Sequence, residues 1–146
     1  MEIEEIKNNK KRFLPLLLLA DEQESMIDRY LERGTLYILK DNGVKSVCVV
    51  TDEGEGVLEL KNLATEPAFQ RRGYGKALVD FLCRTYQSRY KILQVGTGEV
   101  KEGLAFYQKC GFSYSHRVEG FFLQYDHPIY DHGVLLRDMI YLRKYL

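Results

Sequence analysis

A turn with two closely spaced glycines joins a strand pattern to a helix pattern in the middle of the chain. Residues 57–65 read as a strand that Pro67 ends, and residues 75–89 carry apolar side chains at helical spacing. Gly73 and Gly75 lie between them and let the backbone approach an anion closely, because neither has a Cβ. The helix that follows offers unpaired N–H groups and a partial positive charge. This order of elements predicts an anion site at the start of the helix.

Basic side chains surround this turn and indicate which anion it binds. Arg71, Arg72 and Lys76 flank the glycines, so the turn meets the requirements of a pyrophosphate site. Two other phosphate motifs are excluded, because a dinucleotide fingerprint needs a glycine where Leu78 stands and a Walker A loop needs one where Gln70 stands. The alternative interpretation is an ordinary helix-start turn without a ligand.

The rest of the chain alternates between strand and helix periods and predicts one mixed α/β domain over residues 1–146. The predicted strands cover residues 2–6, 35–40, 44–51, 57–65, 92–97, 112–118 and 134–145. The predicted helices cover residues 12–20, 75–89 and 101–109. A further helix is predicted to begin at an N-cap formed by Asp21, with Glu24 as its partner, and to end at Gly34. Short connections predict an antiparallel meander over 35–65. The strand, helix and strand over 57–97 imply a right-handed crossover and a parallel pair.

Composition and charge narrow the classes of function. The 21 basic and 21 acidic residues give a formal net charge of zero, so the basic field typical of nucleic-acid binding is absent. Cys48, Cys83 and Cys110 are far apart and indicate neither a disulfide framework nor a zinc site. The apolar run 13–20 contains Pro15 and is too short to span a bilayer, and no secretion signal is evident. We therefore expect a cytoplasmic protein without nucleic-acid or membrane partners.

Two sequence motifs resemble those of a known enzyme family. Residues 70–75 read Gln-Arg-Arg-Gly-Tyr-Gly and match the signature Q/R-x-x-G-x-G/A, and residues 103–112 are similar to A-x-x-F/L-Y-x-x-x-G-F. Both motifs, in this order, are those of the GNAT superfamily of acyl-CoA N-acetyltransferases. The resemblance covers essentially the whole chain and is that of a small bacterial member. It implies the GNAT fold, in which an antiparallel meander precedes a parallel pair of strands that splays at the CoA site.

The resemblance also implies acetyl-CoA as the co-substrate, without a metal, and assigns its binding to three segments. The strand before the signature would pair with the pantetheine arm through exposed backbone, and the matching residues are Leu63, Ala64 and Thr65. The pyrophosphate would bind the amides of Arg71, Arg72, Gly73, Tyr74, Gly75 and Lys76. Gln70, the first residue of the signature, would order the turn.

Tyr107 matches the family tyrosine that protonates the departing CoA thiolate and contacts the cofactor. A phenol keeps its proton at neutral pH and can donate a hydrogen bond, which suits that task. The alternative is that Tyr107 only packs beside Phe106. The family often has an asparagine seven residues earlier, where this chain has Val100, so positioning of the thiol would need Thr97 or Glu99 instead.

Glu59 occupies the place where some family members have the base that deprotonates the amine through water. Strand alternation would put it between Val57 and Leu63 on one face, so that apolar neighbours partly desolvate the carboxylate and make it a better base. Lys61 lies on the same predicted face. An ion pair of Glu59 with Lys61, or with a neighbouring strand, is the alternative.

The loop after residue 118 is rich in side chains that attract a cationic amine. In the family this region commonly borders the acceptor pocket, and acidic and aromatic groups there would bind the amine. The candidates are Glu119, Asp126, Asp131, Phe121, Phe122, Tyr125 and Tyr130. His127 and His132 stand five apart around Pro128, a spacing that does not predict a metal site, and His116 reads as a strand surface residue.

The sequence therefore predicts an enzyme that transfers an acetyl group from acetyl-CoA to a primary amine of a small molecule or a protein. The acceptor is not specified by the residues, and a homodimer is left open. Two alternatives stand beside this prediction. A non-catalytic acyl-CoA-binding or sensor domain would bind CoA without turnover, and a nucleotide-binding protein that uses the same turn would bind ATP but not CoA.

Overall fold

A seven-stranded mixed sheet forms the centre of the molecule, and the computed structural model describes residues 1–146. In chain order the strands are β1 (Glu2–Ile6), β2 (Thr35–Lys40), β3 (Val44–Asp52), β4 (Val57–Thr65), β5 (Ile92–Gly98), β6 (Ser113–Val118), β7 (Tyr130–Asp131), β8 (Val134–Leu135) and β9 (Met139–Tyr145). The sheet order is β1-β2-β3-β4-β5-β9-β6, and β7 and β8 form a separate hairpin. Every pair in the large sheet is antiparallel except β4 and β5. The predicted meander and parallel pair are confirmed.

Helices cover both faces of this sheet. They are α1 (Leu14–Leu17), α2 (Glu24–Ile27), α3 (Tyr74–Tyr86) and α4 (Lys101–Lys109), with 3₁₀ turns at Lys10–Phe13, Pro67–Phe69 and Phe121–Gln124. α3 and α4 pack against the larger apolar cluster on one face, and α1 and α2 pack into a second cluster on the other face. None of the helices has the length and apolar character needed to cross a membrane.

A β-bulge in β4 changes which side chains face each side of the sheet. The pairing of β3 with β4 shifts register between Val49 and Val50, and Lys61 is left without a partner on β3. As a result Leu63 packs against the α3 side of the sheet, whereas Glu59 lines a pocket on the other side. The predicted common face of Glu59 and Leu63 is therefore wrong, because the alternation of faces reverses at an inserted residue.

β4 and β5 separate after a short parallel stretch. Their pairing begins at Val57 with Ile92 and ends at Leu60 with Val95. Beyond that point β4 pairs only with β3, and β5 pairs only with β9. The sheet therefore has an internal edge where neither strand bonds to the other, which confirms the splayed pair that the resemblance implied.

The N-terminal helices are shorter than the pattern predicted. α1 and α2 each span four residues, in place of helices over 12–20 and up to residue 34. The N-cap residue of α2 is Gln23, whose side chain forms no capping hydrogen bond, so the prediction of Asp21 at that position is wrong. The Asp21 carboxylate instead accepts hydrogen bonds from the hydroxyls of Tyr30 and Tyr125. These tertiary bonds compete with a helix cap for the same oxygens.

The last predicted strand, residues 134–145, is divided in two. β8 ends before Leu136, and β9 begins at Met139. Leu136 is buried in a small cluster with Val100 and Ile129, and its N–H bonds to the carbonyl oxygen of Ile129. This packing takes the chain out of the sheet between the two strands.

Lys10 is a buried lysine that holds the segment after α2. Its Nζ donates hydrogen bonds to the carbonyl oxygens of Leu31, Glu32 and Gly34 at 3.1, 3.3 and 2.6 Å. Lys10→Met would leave these carbonyls without their charged donor, so we expect the free energy of unfolding to fall by about 2–3 kcal/mol. Thermal melting measures the loss, with Lys7→Met at an exposed position as the control. Equal melting temperatures for the two variants would contradict the prediction.

Candidate functional site

The predicted pyrophosphate turn lies at the open start of α3. Gly73 is the N-cap residue with φ of 85°, and Arg71 also has a positive φ, of 64°. The first backbone hydrogen bond of the helix runs from the N–H of Ala77 to the carbonyl of Gly73 at 2.9 Å. The N–H groups of residues 71–76 donate to no backbone acceptor. At the helix N-terminus these unpaired amides offer the donors that an anion requires.

Gly73 and Gly75 are glycines for different reasons. A Cβ added to Gly73 would meet no atom within 4 Å, so its positive φ explains the glycine. A Cβ added to Gly75 would lie 3.2 Å from Cζ of Phe106, because α4 packs directly on the start of α3. The prediction that both glycines serve the approach of an anion is incomplete, since Gly75 also serves the packing of two helices.

Basic side chains lie around the turn, including one that sequence analysis missed. The guanidinium of Arg72 and the Nζ of Lys45 lie over the ring of Phe69, at 5.2 and 4.1 Å from its centre. Lys76 forms an ion pair with Asp80 at 2.8 Å. Lys45 comes from the start of β3, and no local sequence signal connects it with the turn.

The residues predicted to bind the pantetheine arm lie on the internal edge of the sheet. Leu63, Ala64 and Thr65 pair with β3 on one side and with no strand on the other. Nε2 of Gln70 donates to the carbonyl oxygen of Thr65 at 3.3 Å, which ties the turn to this edge. An extended chain can add to such an edge as a further strand.

Tyr107 combines a packed ring with a free hydroxyl. Its ring lies against those of Phe106 and Phe112, with centroids 5.0 and 5.6 Å away. The hydroxyl forms no hydrogen bond within the protein and is not a fully enclosed atom. Burial raises the pKa of Tyr107 above the ordinary tyrosine value. The side chain therefore packs on α4, as the alternative interpretation held, and also keeps a proton that it can donate.

The residues considered for positioning the thiol differ in their partners. Val100 is buried at the N-cap position of α4. The carboxylate of Glu99 accepts two hydrogen bonds from the guanidinium of Arg117, both at 2.8 Å, and is engaged there. The Oγ1 of Thr97 lies 3.0 Å from the point that a Cβ on Gly103 would occupy. Of the two substitutes, Glu99 is held in an ion pair and Thr97 is not.

Glu59 lines a pocket on the face of the sheet opposite to α3. The pocket has a volume of about 150 Å³, and Glu59 is 5% exposed in it. Nζ of Lys61 lies 2.9 Å from Oε2 of Glu59, and Nε2 of Gln94 donates to Oε1 at 2.7 Å. Nε of Arg143 donates in turn to Gln94 at 2.8 Å. The ion pair with Lys61 that the alternative interpretation held is present, and local sequence does not indicate the network through Gln94 and Arg143.

This pocket meets the sheet where β4 and β5 separate. Leu60 is the last paired residue of β4, Gly96 is the first residue of β5 beyond the pairing, and both line the pocket. The other walls are largely apolar or aromatic side chains, namely Met26, Tyr30, Phe121, Tyr125, Met139 and Tyr141. These walls enclose Glu59, in place of the neighbours at 57 and 63 that alternation predicted.

Tyr141 connects the pocket with β6. The ring of His116 stacks on the Tyr141 ring with centroids 4.7 Å apart and is itself exposed, as predicted for a strand surface residue. Burial and the negative charge of Glu59 raise the pKa of Tyr141 to about 12. Its phenol therefore stays neutral next to the carboxylate.

Hydrogen bonds between the N-terminal segment and the loop after β6 close one side of the pocket. Asp21 accepts from the hydroxyls of Tyr30 at 2.9 Å and Tyr125 at 2.7 Å. Desolvation raises the pKa of Asp21, although both hydroxyls donate to it. Nη1 of Arg29 donates to Oε1 of Gln124 at 3.0 Å. Sequence analysis did not identify Asp21 or Arg29 as site residues, because their partners lie far away in the chain.

The loop residues predicted to receive the amine lie only partly in the pocket. Phe121 and Tyr125 line it, whereas Phe122 packs against a separate apolar cluster. The residues that are exposed outside the pocket are Glu119, Asp126, Tyr130 and Asp131. The acidic residues among them lie outside this pocket, because the loop and the β7–β8 hairpin present them to solvent, and their role at the acceptor stays a prediction. The carboxylates that line the pocket are Asp21 and Glu59.

Both the sequence and the structure of this chain are similar to those of known proteins. The family model of the acetyltransferase (GNAT) domain matches residues 32–114. A curated relative, the uncharacterized N-acetyltransferase YvbK of Bacillus subtilis (strain 168), is 35% identical over 131 residues, which cover 87% of this chain and 84% of the relative.

Two solved structures are similar over nearly the whole chain. A GNAT family acetyltransferase from Elizabethkingia anophelis with acetyl-CoA bound is 34% identical with a TM-score of 0.93, covering 99% of this chain and 97% of that one. The IAA acetyltransferase from Bacillus cereus ATCC 14579 is 35% identical with a TM-score of 0.92, covering 99% of both chains. The similarity thus includes the segments that form the anion turn and the pocket.

Proposed function

This chain belongs to the GNAT acetyltransferase family and uses acetyl-CoA as its co-substrate, and from that premise we propose that it acetylates a primary amine bound in the pocket at Glu59. One observation carries this proposal: the internal edge of β4 and the pocket meet at Leu60. The internal edge of β4 begins at Leu60 and leads to the open amides of residues 71–76. Leu60 also lines the pocket.

In this proposal the co-substrate lies along the internal edge. Its pyrophosphate accepts hydrogen bonds from the amides of residues 71–76, and Arg71, Arg72 and Lys45 add positive charge. The pantetheine arm pairs with residues 63–65 as an added strand. The thioester then lies where β4 and β5 separate, within reach of an amine in the pocket.

The groups around this point supply what acyl transfer needs. A neutral amine attacks the thioester carbonyl carbon, an N–C bond forms, and the C–S bond breaks to release the CoA thiolate. Glu59 accepts the proton that the amine loses, through a water molecule, and Tyr107 donates a proton to the thiolate. Since Tyr107 packs on the α3 side of the sheet and Glu59 lines the opposite side, acid and base act from opposite faces.

The size of the pocket favours a small acceptor over a folded protein surface. The volume of about 150 Å³ is smaller than the roughly 300–1,000 Å³ of sites that bind drug-sized ligands. An acceptor of that size enters with its amine and a short apolar body. A protein acceptor would have to insert a single side chain or its N-terminal residue.

Titration with acetyl-CoA and release of free CoA test this function in two separate steps. Isothermal titration calorimetry measures the binding of acetyl-CoA, and a thiol reagent measures the CoA that is set free with a panel of primary amines. We expect binding, and CoA release that depends on the amine. Binding without release from any amine would indicate a non-catalytic acyl-CoA-binding domain. No binding at millimolar acetyl-CoA would contradict both interpretations.

Tyr107→Phe is expected to lower kcat by about 100-fold and to leave the affinity for acetyl-CoA unchanged, because the packed ring is retained and the acidic proton is lost. Steady-state kinetics measure the effect, with Tyr114→Phe, at a site that is 62% exposed, as the control. Burial raises the pKa of Tyr107, so its phenol keeps the proton as the pH rises toward ~10. Full activity of Tyr107→Phe, or a fall of wild-type kcat well below that pH, would contradict the acid role.

A further inference from the structure

Two arginines line the pocket, and only one of them has a carboxylate partner. Nη2 of Arg33 lies 3.0 Å from a carboxylate oxygen of Glu53. Arg29 donates instead to the neutral side-chain amide of Gln124 at 3.0 Å and forms no ion pair. Its guanidinium therefore has no ion-pair partner at the pocket, and it has donors left for a ligand.

The carboxylates of the pocket form no ion pair with Arg29, although its positive charge acts to lower the pKa of Asp21. Asp21 already accepts hydrogen bonds from two tyrosine hydroxyls, and Glu59 is paired with Lys61. Glu59 is buried, whereas Arg29 is exposed. The pocket therefore contains a buried carboxylate and an exposed guanidinium without an ion-pair partner, and these two groups suit a ligand with an amine and an anion.

We infer that the acceptor is a small amino acid, in which the primary amine lies beside Glu59 and the carboxylate binds to Arg29. This inference rests on the proposed function, since it places the amine beside Glu59. A guanidinium binds a carboxylate through two parallel hydrogen bonds. The walls formed by Met26 and Met139 contact the apolar part of the molecule. The substrate class is an amino acid with an apolar or aromatic side chain, and not a polyamine.

Matched acceptor pairs test whether the carboxylate is recognised. L-phenylalanine and 2-phenylethylamine differ only in that group, as do L-leucine and 3-methylbutylamine. We expect kcat/KM to be at least about 10-fold higher for the amino acid of each pair. Arg29→Gln should remove the preference by raising KM for the amino acid about 10-fold more than KM for the simple amine.

Gln124→Ala is the matched control for Arg29→Gln. It removes the hydrogen bond between Arg29 and the loop but keeps the positive charge, so the preference for the amino acid should persist. A wild-type enzyme that uses the simple amines equally well or better would overturn the inference. So would an Arg29→Gln variant that slows both members of a pair equally, because that effect is a loss of pocket closure.

Binding of the acetylated products separates this inference from the proposed function. Calorimetric titration of the CoA-loaded protein with N-acetyl-L-phenylalanine and N-acetyl-2-phenylethylamine requires no turnover. Tighter binding of the carboxylated product, lost in Arg29→Gln and kept in a variant of the exposed Arg84, Arg84→Gln, supports the inference. Equal binding of both products overturns it. A protein that releases no CoA with any amine would refute the proposed function, and the product titration would still decide the role of Arg29.

Discussion

Glu59→Gln is expected to lower kcat by about 100- to 10,000-fold, the usual contribution of a general base. Glutamine has nearly the shape of glutamate and keeps an oxygen that can accept the hydrogen bond of Gln94. It cannot take up the proton that the amine loses. The affinity for acetyl-CoA should be unchanged, because Glu59 lies on the face of the sheet opposite to α3. Kinetics at saturating acetyl-CoA give kcat, and calorimetry gives the affinity.

Lys61 provides the matched control for Glu59. Lys61→Met removes the ion pair at 2.9 Å and leaves the carboxylate with its hydrogen bond from Gln94. If Glu59 were only an ion-pair partner, both variants would lose activity and stability to the same degree. If Glu59 is the base, the kcat of Lys61→Met should stay within about 10-fold of the wild-type value. A fully active Glu59→Gln enzyme would exclude Glu59 as the base.

Most of the meander, and the second motif helix, could be predicted from local sequence. β2 and β4 have the predicted bounds, and the turn after β2 has positive φ at Asn42 and Gly43, as a tight hairpin requires. α4 also has its predicted bounds, because Gly111, with φ of 97°, ends it. The glycine turn before α3 could be predicted for the same reason, since residues 70–76 are consecutive. Each of these features depends on a signal confined to a few residues.

The pocket could not be predicted in the same way, because its geometry depends on contacts between distant segments. Alternation of polar and apolar residues does not reveal an inserted residue, so the bulge at Lys61 put Leu63 on the unexpected face. The local sequence at Asp21 is typical of a helix N-cap, yet its carboxylate accepts a hydrogen bond from the hydroxyl of Tyr125, 104 residues later. The charges of the pocket therefore come from residues that no motif connects.

Gly73→Val is expected to weaken the binding of acetyl-CoA by about 1,000-fold. Gly73 has φ of 85° at the N-cap of α3, a conformation that costs a β-branched residue about 1–3 kcal/mol. Relief of that strain rotates the adjacent peptide groups, so that the amides of residues 71–76 no longer point to a common site. A steric clash is not the cause, because a Cβ at Gly73 meets no atom within 4 Å. Calorimetric titration with acetyl-CoA measures the loss.

Gly54 is the matched control for Gly73. It has the same φ of 85°, and a Cβ there also meets no atom within 4 Å, but it lies in the turn between β3 and β4, at the opposite end of β4 from α3. Gly54→Val should lower the melting temperature to a similar degree and leave the affinity for acetyl-CoA intact. If both variants lost affinity in proportion to their stability, the amide geometry would not determine binding. A loss confined to Gly73→Val would connect binding to this turn, because the strain is matched in the two variants.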